Sequence, residues 1–341
     1  MSQVNKGRAV IKGAESARNA PGADGTGEAE GGQRVRQLEV GEQGHGQRLD
    51  NYLLRECGGV PRTRLYKAIR RGEVRVNKGR ARPATRLSAG DTVRLPPFSM
   101  AERPRPVAPP GWQERLAQAI IHEDADLLVV NKPARLAVHG GSGLQFGLIE
   151  TLRAMRPEVR FLELVHRLDR ETSGLLLVAK RASALRALHE LLRGEGGITK
   201  RYLALVHGRW PRHLRSVEAP LLRSERASGE RIVRVSREGK ASVTEFRVQR
   251  ASRSASLIEA YPLTGRTHQI RVHARHAGHA ILGDEKYGNE SSAACAEALG
   301  LRRLFLHAAG LRFRLGDRDY RLEAPLDDEL QGVLERCFRS S

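Results

Sequence analysis

The chain has 341 residues, with 59 Lys or Arg against 39 Asp or Glu, a formal charge of +20. That length excludes a lone small module and favours two folded units, and the charge points to a polyanionic partner rather than to neutral metabolites alone. Hydrophobic residues make up 40% of the chain and charged ones 29%, enough to bury a sizeable core, which excludes a chain that is basic and disordered throughout.

The three cysteines, Cys57, Cys295 and Cys337, are far apart and form no CxxC pair. They support neither a disulfide framework nor a thiolate zinc site, and a reducing cytoplasm fits best. The amino terminus lacks the apolar run of a signal peptide, and the longest apolar stretches, 127–130 and 175–179, are too short to span a bilayer. A cytoplasmic protein without membrane contact is expected, and the sequon at Asn289 then carries no weight.

Residues 1–35 are rich in Gly, Ala and mixed charge with no apolar periodicity, so a disordered tail is expected. From 36 to 98 the pattern is that of a small α/β unit. Leu49, Leu53 and Leu54 recur at helical spacing, Leu65, Ala68 and Ile69 do so again, Gly72 stops the second helix, and EVRVN and DTVRL read as strands. Arg62, Arg64, Lys67, Arg70, Arg71, Arg75, Lys78 and Arg80 crowd the second helix and its exit. A charge run is usually a solvated face, but a face kept for solubility intersperses acids, so this one reads as a phosphate-contacting surface. Pro104, Pro106, Pro109 and Pro110 then mark a linker over 99–113.

The part from 114 to 338 alternates apolar strand-like runs at 126–131, 162–168, 174–180, 202–208, 231–236, 243–249, 256–262, 311–315 and 319–324 with fewer helices, at about 183–193, 266–277 and 327–338. Strands outnumber helices without regular alternation, which predicts an α+β fold around a mixed, mainly antiparallel sheet.

No GxxxxGK[ST] occurs, and GSGLQFG at 141–147 has the wrong spacing for a dinucleotide loop. His268, His273, His276 and His279 could tempt a metal reading, but Arg266, Arg271 and Arg275 are interleaved and would repel a cation. The segment HRLDRETSGLLLVAK, 166–180, puts Asp169 where one apolar strand ends and a Thr-Ser-Gly turn leads into the next. A loop carboxylate there faces a cleft readily, and guanidinium charge from Arg167 and Arg170, if aimed at it, favours the charged nucleophilic form. The alternative is an Asp that ties a turn or a surface ion pair, and composition alone favours it. In YPLTGRTHQIR, 261–271, one of Arg266 and Arg271 suits a phosphate while the other reaches inward; Tyr202 in KRYLALVHG reads by default as core aromatic, and NKPARLAVHGGSG, 131–143, as a loop.

Two resemblances organise these motifs. QRLDNYL and VPRTRLYKAIRRGEVRVNKGRARPATRLSAGDTV, covering about 47–97, resemble the small RNA-binding domain of the S-four type, first described in a small-subunit ribosomal protein. The resemblance implies that Arg62, Arg64, Lys67, Arg70, Arg71 and Lys78 dock structured RNA. NKPARLAVHGGSG, HRLDRETSGLLLVAK, KRYLALVHG, GRTHQIRVH and LFLHAAGLRF, in this order behind it, resemble the RluA-type pseudouridine synthases, with Arg135 standing where family members usually carry glycine.

That second resemblance implies isomerisation of uridine to pseudouridine in large-subunit (23S) ribosomal RNA; a monomer is expected. Asp169 would be the catalytic aspartate, Tyr202 the tyrosine that stacks on the target base, Arg271 the basic partner of the aspartate and Leu306 the apolar residue below the tyrosine. Arg167, Arg170, Arg266 and His268 stand beside them as substrate-binding candidates. Atoms are neither gained nor lost in this exchange, so it requires no cofactor and no metal. The carboxylate could attack the anomeric carbon or the base, or remove a ribose proton, and Tyr202 is the candidate for the proton at carbon 5. The target lies in stacked or paired RNA and must be extruded, with Arg167 a candidate to fill its place. Two rivals remain at this point: a non-catalytic rRNA-binding or assembly factor, and a ribonuclease using His268 or His273.

Overall fold

The computed structural model describes residues 35–57, 60–98, 111–140, 146–159, 161–194, 197–225 and 230–339. The expected tail, apart from residue 35, lies outside the described residues, as do 99–110 of the linker and 141–145 of the glycine-rich stretch.

In the amino-terminal part the helices Leu49–Glu56 and Arg62–Arg71 pack on an antiparallel sheet of four short strands, in the order Arg36–Glu39, Thr92–Leu95, Arg75–Val76, Gly79–Arg80. Leu49, Leu53, Leu65, Ile69, Val74 and Val93 form its core, as the helical and alternating patterns require. Gly72 ends the second helix in the left-handed region at φ 72°, its N–H satisfying the carbonyls of Ala68 and Ile69. Asn77 and Lys78 both have positive φ, the geometry a two-residue hairpin between twisted strands demands.

The linker ends earlier than the sequence predicts. Helix Trp112–Gln118 begins inside the expected 99–113 span, because the Trp112 ring packs on Phe146 at 6.2 Å and carries the Arg115 guanidinium at 4.7 Å. The larger part is built on a sheet with the order Ser216–Glu218, Val243–Ala251, Ala255–Pro262, Ile198–His207, Leu306–Leu315, Ser173–Ala179, Leu127–Lys132, Ile120–Glu123; Arg318–Glu323 and Glu163–Leu164 pair alongside. Every described pair is antiparallel except Leu306–Leu315 with Ser173–Ala179. The mixed, mainly antiparallel α+β reading therefore holds, and the parallel pair is a seam with a separate apolar core on either side.

At the seam only glycine fits at 174. Its φ is 107°, and a Cβ would stand 2.3 Å from the carbonyl oxygen of Ala308. Gly174→Ala should cost about 3 kcal/mol or more in backbone strain and overlap, seen in thermal unfolding as a fall in Tm of roughly 10 °C; an unchanged Tm would contradict this packing.

Two expected elements differ. The strand predicted over 162–168 pairs only at Glu163–Leu164, because the backbone N–H of Leu177 is taken by His166 Nε2 at 3.2 Å, which frees the chain to turn away toward Asp169. The strand Arg231–Val235 joins Leu221–Glu225 in a separate two-stranded ribbon. Helices Leu148–Met155 and Glu290–Ala298 are additional to those expected from spacing; the second starts at a capping box between Asn289 and Ser292, so the set-aside sequon asparagine caps a helix.

Candidate active site

A cavity of about 390 Å³ opens at the seam, lined by Asp169 from the turn before Ser173–Ala179, Leu306 from the first position of the strand beside it, Tyr202 from Ile198–His207 on the far side of that strand, and Arg266, His268 and Arg271 from the 264–271 segment. The turn is closed by the Thr172 N–H on the Asp169 carbonyl at 3.2 Å, which leaves the carboxylate, 22% exposed, aimed into the cavity.

Arg271 is the cation that reaches it, its Nη1 donating to Asp169 Oδ2 at 3.4 Å. The guanidinium is 8% exposed and is held by Asp284, whose Oδ2 accepts from Nε at 2.8 Å and whose Oδ1 accepts from Nη2 at 2.7 Å. Asp284 is 1% exposed and also accepts the N–H groups of Lys286 and Tyr287. Burial alone would lower the Arg271 pKa, but the Asp284 pair, aided by Asp169, raises it above the usual value. A two-pronged anchor of this kind fixes the third nitrogen in place.

His268 caps the helix Gln269–His276 in the left-handed region, with Nε2 3.7 Å from Asp169 Oδ2 and Nδ1 2.7 Å from the Tyr287 hydroxyl. That hydroxyl also accepts the N–H of Val233, which holds it in place beside the ring. Burial, outweighing the attraction of Asp169, lowers the His268 pKa and keeps the ring neutral. Gln269 locks the preceding turn, accepting from Thr264 and the Arg266 N–H and donating to Val243 and Thr244. Burial, reinforced by the charge of Asp169, pushes the Tyr202 phenol well above its ordinary value.

Arg167 is exposed at the cavity rim, and its guanidinium has no hydrogen bond or ion pair among the described residues. Arg170 does not line the cavity but reaches the Arg135 carbonyl and Glu171, because the tight turn sends successive side chains in different directions. Arg135 itself sits at φ 66°, a position glycine fills without strain. His273 is fully buried, bonded to Thr244, Ser242 and the Ala219 carbonyl, and does not line the cavity, so it is placed as a packing residue and not as an acid or base.

Several site residues were not singled out from sequence. Asp284 lies in ILGDEKYG with no motif around it; a lone acid after an apolar run was the only signal. Lys132 is fully buried and its ammonium donates to the carbonyls of Pro133, Leu136 and Arg170, tying the NKP loop to the turn that carries Asp169, while burial brings its pKa down to about 7. Lys200 and Arg223 also line the cavity, the latter donating to the Thr267 hydroxyl. Asp169 is thus the single acid among the described lining residues, amid Arg167, Lys200, Arg223, Arg266 and Arg271. A lone carboxylate in a cationic hollow of this size suits a nucleotide whose phosphates are held while its sugar or base meets the acid.

On the amino-terminal part Arg62, Arg64, Lys67, Arg70, Arg71 and Lys78 are all exposed. Arg64 and Arg71 lie 3.7 and 3.8 Å from Glu73, while Arg62 bonds the Tyr66 hydroxyl and Arg70 the Tyr66 carbonyl. The face as a whole keeps an excess of positive charge.

Fold and cationic cavity together suit an enzyme that acts on RNA, and the comparisons give the family: the chain belongs to the pseudouridine synthase family, whose RNA pseudouridylate synthase model matches residues 126–276, with an S4 domain over 47–93. It is 56% identical over 297 residues to ribosomal large subunit pseudouridine synthase C of Escherichia coli O157:H7, covering 85% of this chain and 93% of that one. The protein of the same name from Pasteurella multocida (strain Pm70) is 52% identical over 309 residues, 89% of this chain and 94% of its own. The solved structure of human RNA pseudouridylate synthase domain containing 4 matches with a TM-score of 0.55 at 28% identity, covering 66% of this chain and 95% of that one.

Proposed function

We propose that the protein isomerises uridines of large-subunit (23S) ribosomal RNA to pseudouridine, with Asp169 as the group that attacks the flipped-out nucleotide. The observation that carries this reading is the Asp169 carboxylate beside a guanidinium anchored at two points by Asp284. The reaction breaks the bond from ribose to N1, rotates the uracil and rejoins it through C5; the C5 hydrogen leaves as a proton and N1 takes one up. Asp169 adds to the sugar or to the base, Arg271 orients it, and Tyr202 and Leu306 form the apolar platform under the ring. The extrusion of the base costs a few kcal/mol, offset by this stacking and by phosphate contacts from Arg266, His268 and the helix Arg62–Arg71. The partner is ribosomal RNA or its assembling particle. Among the described residues no helix is long and apolar enough to cross a membrane, and the reading is of a cytoplasmic monomer.

Arg167 is the candidate to fill the vacated position in the helix. Arg167→Ala should lower turnover on a folded stem by about tenfold or more while an unpaired fragment is affected little, since only the former pays for extrusion; equal losses would remove the role.

Tyr202 supports this account as a neutral ring. A base must be a phenolate, and burial opposes that form. Single-turnover rates should therefore stay flat between about pH 7 and 9.5. A tenfold rise per pH unit, lost in Tyr202→Phe, would instead make it the proton acceptor.

In cells lacking the gene, carbodiimide-adduct primer extension should lose stops in large-subunit rRNA, restored by wild type and not by Asp169→Asn. Stops unchanged by the deletion would count against the substrate named here.

A further inference from the structure

Beside the catalytic cavity lies a second, open groove of about 530 Å³, to which Arg312, Arg314 and Arg321 contribute. Leu192, Ile198 and Leu311 line the cavity, and their chain neighbours Leu191, Gly197 and Arg312 line the groove, so the two share one wall. Arg312 and Arg321 are direct cross-strand partners. Two like charges placed opposite each other destabilise a strand pair, and both side chains are exposed and without a side-chain hydrogen bond or ion pair among the described residues. Arg314 donates to the Gly316 carbonyl at 3.1 Å and lies 3.9 Å from the fully exposed Asp317, while Asp319, its cross-strand partner and the one acid among the lining residues, forms no ion pair with the three. The neighbouring Arg201, by contrast, is paired with both Glu259 and Glu323.

We propose that this groove is a second RNA-backbone site, which takes the phosphates that flank the target nucleotide as the strand passes over the shared wall. It rests on the reading of the cavity as the uridine site, and its occupant follows from charge. Phosphodiesters relieve the Arg312–Arg321 repulsion, and an RNA strand that leaves the cavity across the shared wall meets these side chains on the far face of Leu306–Leu315, since Leu311 and Arg312 point to opposite sides.

The test compares a short hairpin that fills only the cavity with a longer transcript carrying flanking sequence, using Arg312→Ser/Arg321→Ser and, as a control that keeps the charge, Arg312→Lys/Arg321→Lys. For the serine pair, the longer transcript should bind about tenfold more weakly at 0.1 M salt, with the slope of log affinity against log salt smaller by about 1.5. Binding and turnover of the hairpin should not change, and the lysine pair should behave as wild type. An unchanged slope on the longer transcript, or equal losses on both RNAs, would overturn the proposal, as would weakened binding of polyglutamate with RNA binding intact, which would make the groove a site for an acidic protein. Should wild type form no pseudouridine in either RNA, the reading of the cavity fails by itself, and the salt slopes still decide the groove.

Discussion

Asp169→Asn should lower the single-turnover rate of pseudouridine formation by about 10⁴-fold or more while RNA affinity changes by less than about threefold. The amide keeps the shape of the carboxylate and an oxygen for Arg271, so the turn closed by Thr172 and the cavity wall are retained. What disappears is the charge and the nucleophilic lone pair, needed only once the nucleotide is in place. The expected pattern is a loss in rate without a loss in binding, measured on one transcript by filter binding and by rate. A rate within tenfold of wild type would remove Asp169 from the chemistry, and a loss expressed mainly in affinity would make it a binding residue.

Asp284→Ala has the second largest expected effect, and it acts on both stability and rate. Arg271 is nearly buried and Asp284 supplies two of its three polar contacts to acids. With the partner removed, an uncompensated buried charge remains, at a cost of about 3–5 kcal/mol. The freed guanidinium then swings onto Asp169 and neutralises it, so turnover should fall by about 100-fold beyond what unfolding accounts for. The double variant Asp284→Ala/Arg271→Met removes the stranded charge along with its partner. It should regain most of the Tm and none of the turnover. If it regains neither, Asp284 supports the fold through its bonds to the Lys286 and Tyr287 N–H groups; if Asp284→Ala alone keeps wild-type rates, the anchoring of Arg271 has no catalytic weight.

The elements readable from sequence were those whose own residues carry the signal. Leu49, Leu53, Leu65 and Ile69 announce two helices by spacing, and the apolar runs that become Leu127–Lys132 and Ser173–Ala179 announce buried strands. Asp169, Tyr202, Leu306 and Arg271 were legible because the motifs around them are contiguous, and the cavity gathers all four. What spacing cannot carry is a partner brought from elsewhere in the chain. Asp284 becomes an anchor only when the fold lays it against Arg271, and Lys132 becomes a tether only when its strand stops beside Arg170. Arg170 is not brought to the cavity for the converse reason: adjacency to Asp169 in sequence says nothing of direction within a turn. The parallel seam was equally hidden, since it joins strands some 130 residues apart by a close approach that only Gly174 betrays.

The central claim is that this carboxylate drives an atom-conserving isomerisation that leaves the RNA chain whole. The most direct test supplies a ribosomal transcript tritiated at uridine C5 to purified, chelator-treated protein, and follows both tritium in water and strand length. The account predicts tritium release by wild type, none by Asp169→Asn, and full-length RNA throughout. Tritium release that survives the substitution, or strand breaks in place of release, would contradict it.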